Sequence, residues 1–144
     1  MTDNRLLIVS TLTDDEGIFV YQMAGADGQL ELVQQTARSI SNPFFIALHP
    51  RGDILYSITD PGGARLVSAL SLDRTSGELA LLNQQPTQGG YPCYVAVDPS
   101  GQSVVVANYD GGSVASYPLQ ADGTLGPAGS FVQHVGSSID ASRQ

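Results

Sequence analysis

Two stretches of this sequence repeat one pattern. They are Pro43-Phe44-Phe45-Ile46-Ala47-Leu48-His49-Pro50-Arg51-Gly52 and, 49 residues later, Pro92-Cys93-Tyr94-Val95-Ala96-Val97-Asp98-Pro99-Ser100-Gly101. In both copies a second apolar run follows, at 54–58 and at 104–107. A fixed period near 50 residues is typical of a β-propeller, in which each repeat is one small sheet whose faces are covered by its neighbours. The repeat therefore predicts an all-β fold built from propeller blades.

Turn signals divide each repeat into strands. A small or polar residue followed by Gly-x-Leu occurs at 27–30, 76–79 and 122–125. Such glycines supply the positive φ of tight hairpin turns, so each marks the return of a third strand into a fourth. The Pro-x-Gly elements at 50–52 and 99–101 are expected to close the first hairpin of a blade. Each full repeat is therefore predicted to form four antiparallel strands.

These signals predict a single domain over 1–144 that is a partial β-propeller of about two and three-quarter blades. The first blade, 5–37, lacks its first strand; complete blades follow at 43–87 and 92–135, with a tail at 136–144. Closed propellers have about four to eight blades. We therefore expect an open arc, whose uncovered blade edges favour self-association.

The charge is acidic, with 14 Asp plus Glu against 6 Lys plus Arg and a net charge of -8. All the basic residues are arginines, and they are scattered along the sequence, so we expect no basic groove and no nucleic-acid partner. The single cysteine, Cys93, excludes an internal disulfide framework. The sequence shows neither a secretory signal nor a membrane span, which favours a cytoplasmic protein without a membrane partner.

No signature of a cofactor or metal site is present. The sequence lacks a dinucleotide fingerprint, a zinc-protease motif, a Cys-x-x-Cys pair and an EF-hand loop. It also lacks the Gly-x-Ser-x-Gly turn of serine hydrolases. We expect no cofactor and no metal.

The order and spacing of many short motifs resemble one family. They are Asn42-Pro43, Leu48-His49-Pro50 with Gly52, Leu55-Tyr56, Leu81 to Pro86, Pro92-Cys93, Val97 to Gly101, Val106 to Tyr109, Gly111 to Val114, Gln133-His134, Gly136-Ser137 and Arg143-Gln144. Together they are similar to the N-terminal part of the lactonase-type seven-bladed propellers. That family includes bacterial 6-phosphogluconolactonases and carboxy-muconate cyclases.

The resemblance implies a hydrolase that opens a small anionic sugar lactone, 6-phosphoglucono-lactone, in the pentose phosphate pathway. It also implies that the main catalytic residues lie in later blades, so no catalytic residue is assigned within this chain. A carboxy-muconate cyclase is the sister alternative. A non-catalytic propeller scaffold and an inactive fragment also stay open as alternatives, and whether the chain alone is an enzyme is left undecided.

Residues in the first strand of a blade, and in the loop before it, should face the central channel. We expect Asn42 with Phe44 or Phe45, and Cys93 or Tyr94, at this position, and the pair Asn108-Tyr109 at a strand end nearby. The candidate substrate-binding residues are Asn42, Tyr94, Asn108, Tyr109 and Arg143. Asn and Tyr can hydrogen-bond sugar hydroxyls or a lactone carbonyl. In the alternative interpretation, Asn108 bonds backbone at a turn and Tyr109 packs between blades.

The two histidines are the bases that the sequence offers for activating water. His49 aligns with Asp98 just before a Pro-x-Gly turn, which favours a turn-stabilising role. His134 falls in an outermost fourth strand, which favours a structural role.

Overall fold

A computed structural model describes residues 5–13, 17–25, 27–36, 40–140 and 142. These residues form eleven strands: β1 Arg5–Ser10, β2 Ile18–Ala24, β3 Gln29–Gln35, β4 Ile46–Leu48, β5 Ile54–Thr59, β6 Leu66–Leu72, β7 Leu79–Pro86, β8 Pro92–Val97, β9 Ser103–Asn108, β10 Ser113–Pro118 and β11 Ser130–Gln133. A single turn of 3-10 helix spans Pro61–Gly63 between β5 and β6.

The strands form three antiparallel sheets in chain order. The first sheet contains β1 to β3, the second β4 to β7 and the third β8 to β11, and each strand pairs with its neighbours in sequence. The second and third sheets have four strands, and the first has three. The predicted all-β partial propeller is therefore confirmed.

The predicted hairpin turns form because glycine occupies the positions that need positive φ. Gly52 and Gly101 close the first hairpins of the second and third sheets, with φ of 79° and 71°. Their N–H groups donate to the carbonyls of His49 and Asp98, each at 2.8 Å. The glycines of all three Gly-x-Leu turns also have positive φ.

Two apolar cores lie between neighbouring sheets. Alternation along β5 explains both, because successive side chains of a strand point to opposite faces. Ile54, Tyr56 and Ile58 pack against the third sheet, whereas Leu55 packs against the first. Every residue of β5 is consequently buried.

Two buried tyrosines link the second sheet to the third through backbone carbonyls. The Tyr56 hydroxyl donates to Gly123 O at 2.8 Å, and the Tyr117 hydroxyl donates to Pro86 O at 2.7 Å. Burial raises the pKa of each tyrosine to about 12. Both hydroxyls therefore stay protonated and act as donors at neutral pH.

Because connections alternate between the ends of an antiparallel sheet, the assembly has two distinct ends. The loop face carries the segments 40–45, 60–65, 87–91 and 109–112, which lead into inner strands or join second strands to third strands. The turn face carries the hairpin turns at 49–53, 73–78, 98–102 and 120–124. The described sequence-predicted site residues, Asn42, Tyr94, Asn108 and Tyr109, lie at the loop face or on the strands beside it.

Candidate functional site

Backbone strain is concentrated at the loop face. The non-glycine residues with positive φ in the described part of the chain are Asn42, Arg65, Gln88 and Tyr91, and all four lie in its loops. Non-glycine residues in this region of φ/ψ space cost free energy and persist where the surrounding structure holds them, often at functional sites. Asn42 and Tyr91 are also one repeat apart, with φ of 50° and 48°, and each precedes a proline.

The inner strands, which border the central channel of a closed propeller, present an aromatic pair. The rings of Phe45 and Tyr94 lie 4.8 Å apart between centroids and are tilted by 50°. Phe45 is 39% exposed and Tyr94 is 50% exposed. Of the alternatives that the sequence left open, Phe44 packs against the core and Cys93 is half-buried. Phe45 and Tyr94 are therefore the exposed aromatic pair at the position predicted to face the channel.

A small cavity of about 50 Å³ lies beside this pair, at the entry to the inner strands. Its lining comes from all three sheets and comprises Leu12, Asn42, Phe44, Ile58, Asp60, Tyr91 and Pro92. Asn42 Oδ1 is buried without a hydrogen-bond partner among the described residues. This volume is far below that of a sugar-sized pocket. The cavity therefore has room for a single hydroxyl or a water, and Asn42 lines it with its Oδ1 covered.

Asn108 lies behind the surface rather than on it. Its side chain is 3% exposed, and its Nδ2 donates to Thr87 O at 3.1 Å and to Ser113 Oγ at 3.2 Å. Its Oδ1 is buried and finds no partner in the described part of the chain. This placement favours the alternative interpretation, in which Asn108 bonds backbone.

Tyr109 is a surface residue. Its ring is 69% exposed and meets the edge of Tyr91 at 6.3 Å between centroids. Tyr91 meets Phe44 in turn at 6.2 Å, so a row of three rings runs along the loop face. The alternative that Tyr109 packs between blades is wrong, because its ring projects from the β9–β10 turn. Arg143 lies outside the described residues.

The two histidines lie in different places. His49 is at the β4–β5 turn, on the boundary with the third sheet, and His134 is at the end of β11. His49 Nδ1 accepts from the Arg51 N–H at 3.1 Å, so Nε2 carries the proton and donates to Gly101 O at 3.1 Å. His49 thus has the predicted turn-stabilising role and also joins the second sheet to the third. His134 follows β11 and is exposed in a cleft of about 370 Å³ that Tyr109 also lines.

Three arginines that are scattered in sequence come together at the turn face. Arg5, Arg51 and Arg74 line one cleft of about 460 Å³ between the first and second sheets. These residues are thus dispersed in the sequence but meet at one cleft of the structure. Arg51 is paired with Asp53 at 3.1 Å, which offsets part of this positive charge.

Neither a metal-ligand cluster nor a membrane-spanning helix occurs in the described ranges. No group of three or more His, Cys, Asp or Glu side chains there could hold a metal ion. None of the helices described has the length and apolar character that crossing a membrane needs.

Comparison with known proteins identifies the family. The family model described as "Lactonase, 7-bladed beta-propeller" matches residues 6–144. The chain belongs to this lactonase propeller family. The resemblance drawn from the repeat and its motifs is confirmed.

Curated relatives of this lactonase propeller include two bacterial enzymes. It is 37% identical over 121 residues to a 6-phosphogluconolactonase of Bacillus subtilis, covering 84% of this chain and 34% of that protein. It is 28% identical over 141 residues to a 6-phosphogluconolactonase of Formosa agariphila, covering 92% of this chain and 39% of that protein. The chain thus spans less than half the length of these relatives.

Solved structures of proteins named as lactonases are similar to this chain. A Bacteroides uniformis protein, named as a proposed 6-phosphogluconolactonase, matches with a TM-score of 0.87 and 34% identity over 99% of this chain and 41% of that one. A periplasmic gluconolactonase of Pseudomonas aeruginosa matches with a TM-score of 0.78 and 30% identity over 91% of this chain and 38% of that one.

Sequence reasoning missed two residues that the structure brings to the lactonase propeller's loop face, Arg65 and Tyr91. Arg65 lies in the β5–β6 loop, and its Nη1 would lie 3.7 Å from a Cβ built on Gly90, next to Tyr91. One signal for Tyr91 was available, because it aligns with Asn42 at the repeat period. No sequence signal marks Arg65.

Proposed function

We propose that this chain is the N-terminal part of a lactone hydrolase of the 6-phosphogluconolactonase type. The observation that carries the proposal is the 37% identity to the Bacillus subtilis 6-phosphogluconolactonase, over 84% of the chain. In this reaction, water adds to the lactone carbonyl, and the ring oxygen leaves as an alcohol. The product is the open-chain acid, 6-phosphogluconate, an intermediate of the pentose phosphate pathway. A cytoplasmic location fits that substrate, although one relative is periplasmic.

The loop face is the proposed substrate surface. Phe45 and Tyr94 offer half-exposed rings beside the channel, and Tyr91 and Tyr109 extend the aromatic row outward. Asn42 stays a candidate contact, whose buried Oδ1 must be uncovered before it can accept from a sugar hydroxyl. A few polar groups among aromatic side chains are the usual composition of a small-molecule site. Asn108 supports this surface from behind, and Arg143 stays a candidate contact.

The chemical step needs a base for water and donors for the oxyanion. His49 has both ring nitrogens engaged with backbone groups at the turn face, so it is not that base. His134 lies beside an outer strand. We therefore assign the proton transfer to residues beyond these three sheets, and substrate contact to this chain.

The test is hydrolysis of 6-phosphoglucono-lactone by the purified 144-residue chain, with the solution mass of the same fractions measured by light scattering. We expect a chain that binds the product acid but does not exceed the spontaneous rate of hydrolysis as a monomer. Turnover in a defined oligomer would mean that open blades of separate copies complete one another. Absence of binding for both the lactone and the acid would contradict the proposal.

A further inference from the structure

We propose that Arg65 contacts the phosphate of the substrate. The inference rests on the proposed function and deepens it, because it assigns the phosphorylated end of the ligand to one side chain. Four observations support it: the location, the backbone anchoring, the chain conformation and the surroundings of the guanidinium.

Arg65 lies at a different end of the assembly from the other described arginines. Of the arginines in the described ranges, Arg5, Arg51 and Arg74 line the cleft at the turn face, and Arg65 is at the loop face with the aromatic row. The protein has no lysine. In a chain of net charge -8, an anionic ligand bound at the loop face is repelled overall and needs a local cation.

The backbone of Arg65 is held on both sides. Its N–H donates to Asp60 Oδ1 at 3.1 Å. Its carbonyl accepts from both the N–H and the hydroxyl of Thr87, each at 3.0 Å. Thr87 is buried, and its own carbonyl accepts from Asn108 Nδ2. A chain of hydrogen bonds therefore fixes Arg65 from the core of the third sheet, across the boundary between sheets.

This anchoring maintains a conformation that arginine does not favour. Arg65 has a φ of 50°, a region that non-glycine residues occupy rarely. Glycine is the residue that most readily adopts this conformation, and Gly62 and Gly63 in the same loop also have positive φ. Retaining a long cationic side chain at a strained position is explained if the side chain itself is needed there.

The guanidinium lies beside the loop that leads into the third sheet. A Cβ built on Gly90 would lie 3.7 Å from Arg65 Nη1 and 3.4 Å from Asp110 Cβ. Both distances are ordinary contacts, so the guanidinium lies against the segment that carries Tyr91. Arginine suits this task, because its planar group can bond two phosphate oxygens at once.

The experiment measures binding of 6-phosphogluconate and of gluconate to the 144-residue chain by titration calorimetry or ligand-observed NMR. We expect wild type to prefer 6-phosphogluconate. Arg65→Gln should weaken 6-phosphogluconate binding by about tenfold or more, the size expected for a charge-assisted contact, and leave gluconate binding unchanged. Arg65→Lys bears the same backbone strain and keeps the charge, so it should recover part of the loss. Arg74→Gln, at the turn face, is the matched control and should change neither affinity.

Two results would overturn the inference. One is equal binding of the two acids by wild type. The other is an equal loss of both in Arg65→Gln, which would indicate a structural role. A hydrolysis assay distinguishes failure of the inference about Arg65 from failure of the proposed function. An Arg65-dependent preference for the phosphorylated acid, without lactone turnover in any longer form of the protein, would retain the inference and reject the lactonase. Lactone turnover, together with an unchanged preference for the phosphorylated acid in Arg65→Gln, would retain the lactonase and reject the inference about Arg65.

Discussion

The side chain of Asn83 in β7 pairs with the backbone of Leu125 in the next sheet through two hydrogen bonds. Asn83 Nδ2 donates to Leu125 O at 2.8 Å, and the Leu125 N–H donates to Asn83 Oδ1 at 2.9 Å. Gln34 in β3 makes the same pair of bonds to Leu79, at 3.2 Å and 2.6 Å. The leucines of the second and third Gly-x-Leu turns, Leu79 and Leu125, are thus each bound by an amide side chain from the preceding blade. Neighbouring blades are joined by this repeated polar contact as well as by their apolar cores.

We predict that Asn83→Ala destabilises the chain by about 1–3 kcal/mol, because both bonds are lost and the Leu125 N–H loses its acceptor, whereas Leu125 O keeps Gln85 Nε2 as a donor at 3.3 Å. Urea unfolding followed by circular dichroism measures the change. Gln102→Ala, which removes an exposed amide side chain on the same third sheet, is the control and should stay within about 0.5 kcal/mol of wild type. Equal effects of the two substitutions would show that the paired bonds contribute nothing.

The Gly-x-Leu turns differ in how closely they approach a neighbouring blade. Gly123 has a φ of 87°, and a Cβ there would lie 2.7 Å from Ile54 Cγ1 in the second sheet. Gly28 has a similar φ of 75°, but a Cβ there would meet nothing within 4 Å. The two positions share the backbone requirement and differ in the packing requirement.

We therefore predict that Gly28→Ala costs about 1 kcal/mol, from the left-handed conformation alone. Gly123→Ala should cost about 1–3 kcal/mol more, because the added methyl group overpacks the boundary with Ile54. Thermal or urea unfolding of the two variants gives the difference directly. If both variants lose the same stability, the boundary at Ile54 is loose enough to accept a methyl group.

The strands and turns could be predicted from the sequence because their causes are local. Alternating apolar residues and turn glycines act over a few positions, and the repeat at 43–52 and 92–101 shows them twice. The side of the inner strand that faces the channel could not be fixed in this way. A shift of one residue exchanges Phe45 for Phe44, and both are phenylalanine. The structure resolves this through burial.

Contacts between blades were the part that the sequence could not provide. Arg65 and Gly90 are 25 residues apart and share no motif, and they meet because the β5–β6 loop lies beside the segment that leads into β8. The cleft shared by Arg5, Arg51 and Arg74 arises in the same way. Asn108 is a candidate substrate-binding residue by sequence, but the structure places it beneath the surface.

The Pro-x-Gly turn of the third sheet makes the stability of the folded chain vary with pH in the acidic range. Asp98 accepts hydrogen bonds from the backbone N–H groups of Ser100, Gln102 and Ser103 and from the two serine hydroxyls. These bonds, those from Ser100 foremost, lower the pKa of Asp98 from 3.8 to about 2. The folded state therefore favours the ionised carboxylate more than the unfolded state does.

Because the folded pKa is the lower one, this stabilisation is present above pH 3.8 and is lost as the pH falls toward about 2. We predict that wild type loses more stability than Asp98→Asn over this window, and that the variant is the less stable protein at neutral pH. Urea midpoints at a series of pH values test this. Asp110→Asn, which changes an exposed aspartate of the same sheet, should follow the wild-type curve. Parallel curves for wild type and Asp98→Asn would contradict the assignment.

The channel-facing pair allows a test that is independent of phosphate. Tyr94 is half exposed and contacts Phe45, so its ring offers a face to the C–H groups of a sugar. If the ring face is what binds, Tyr94→Ala should weaken gluconate binding by about two- to tenfold, the range of one aromatic contact. Tyr94→Phe keeps the ring and should bind nearly as wild type does. Phe131→Ala removes an exposed aromatic side chain from the outer strand β11 and is the control for surface changes in general. A loss in Tyr94→Phe as large as that in Tyr94→Ala would instead assign the contact to the hydroxyl, and unchanged binding in both variants would remove Tyr94 from the site.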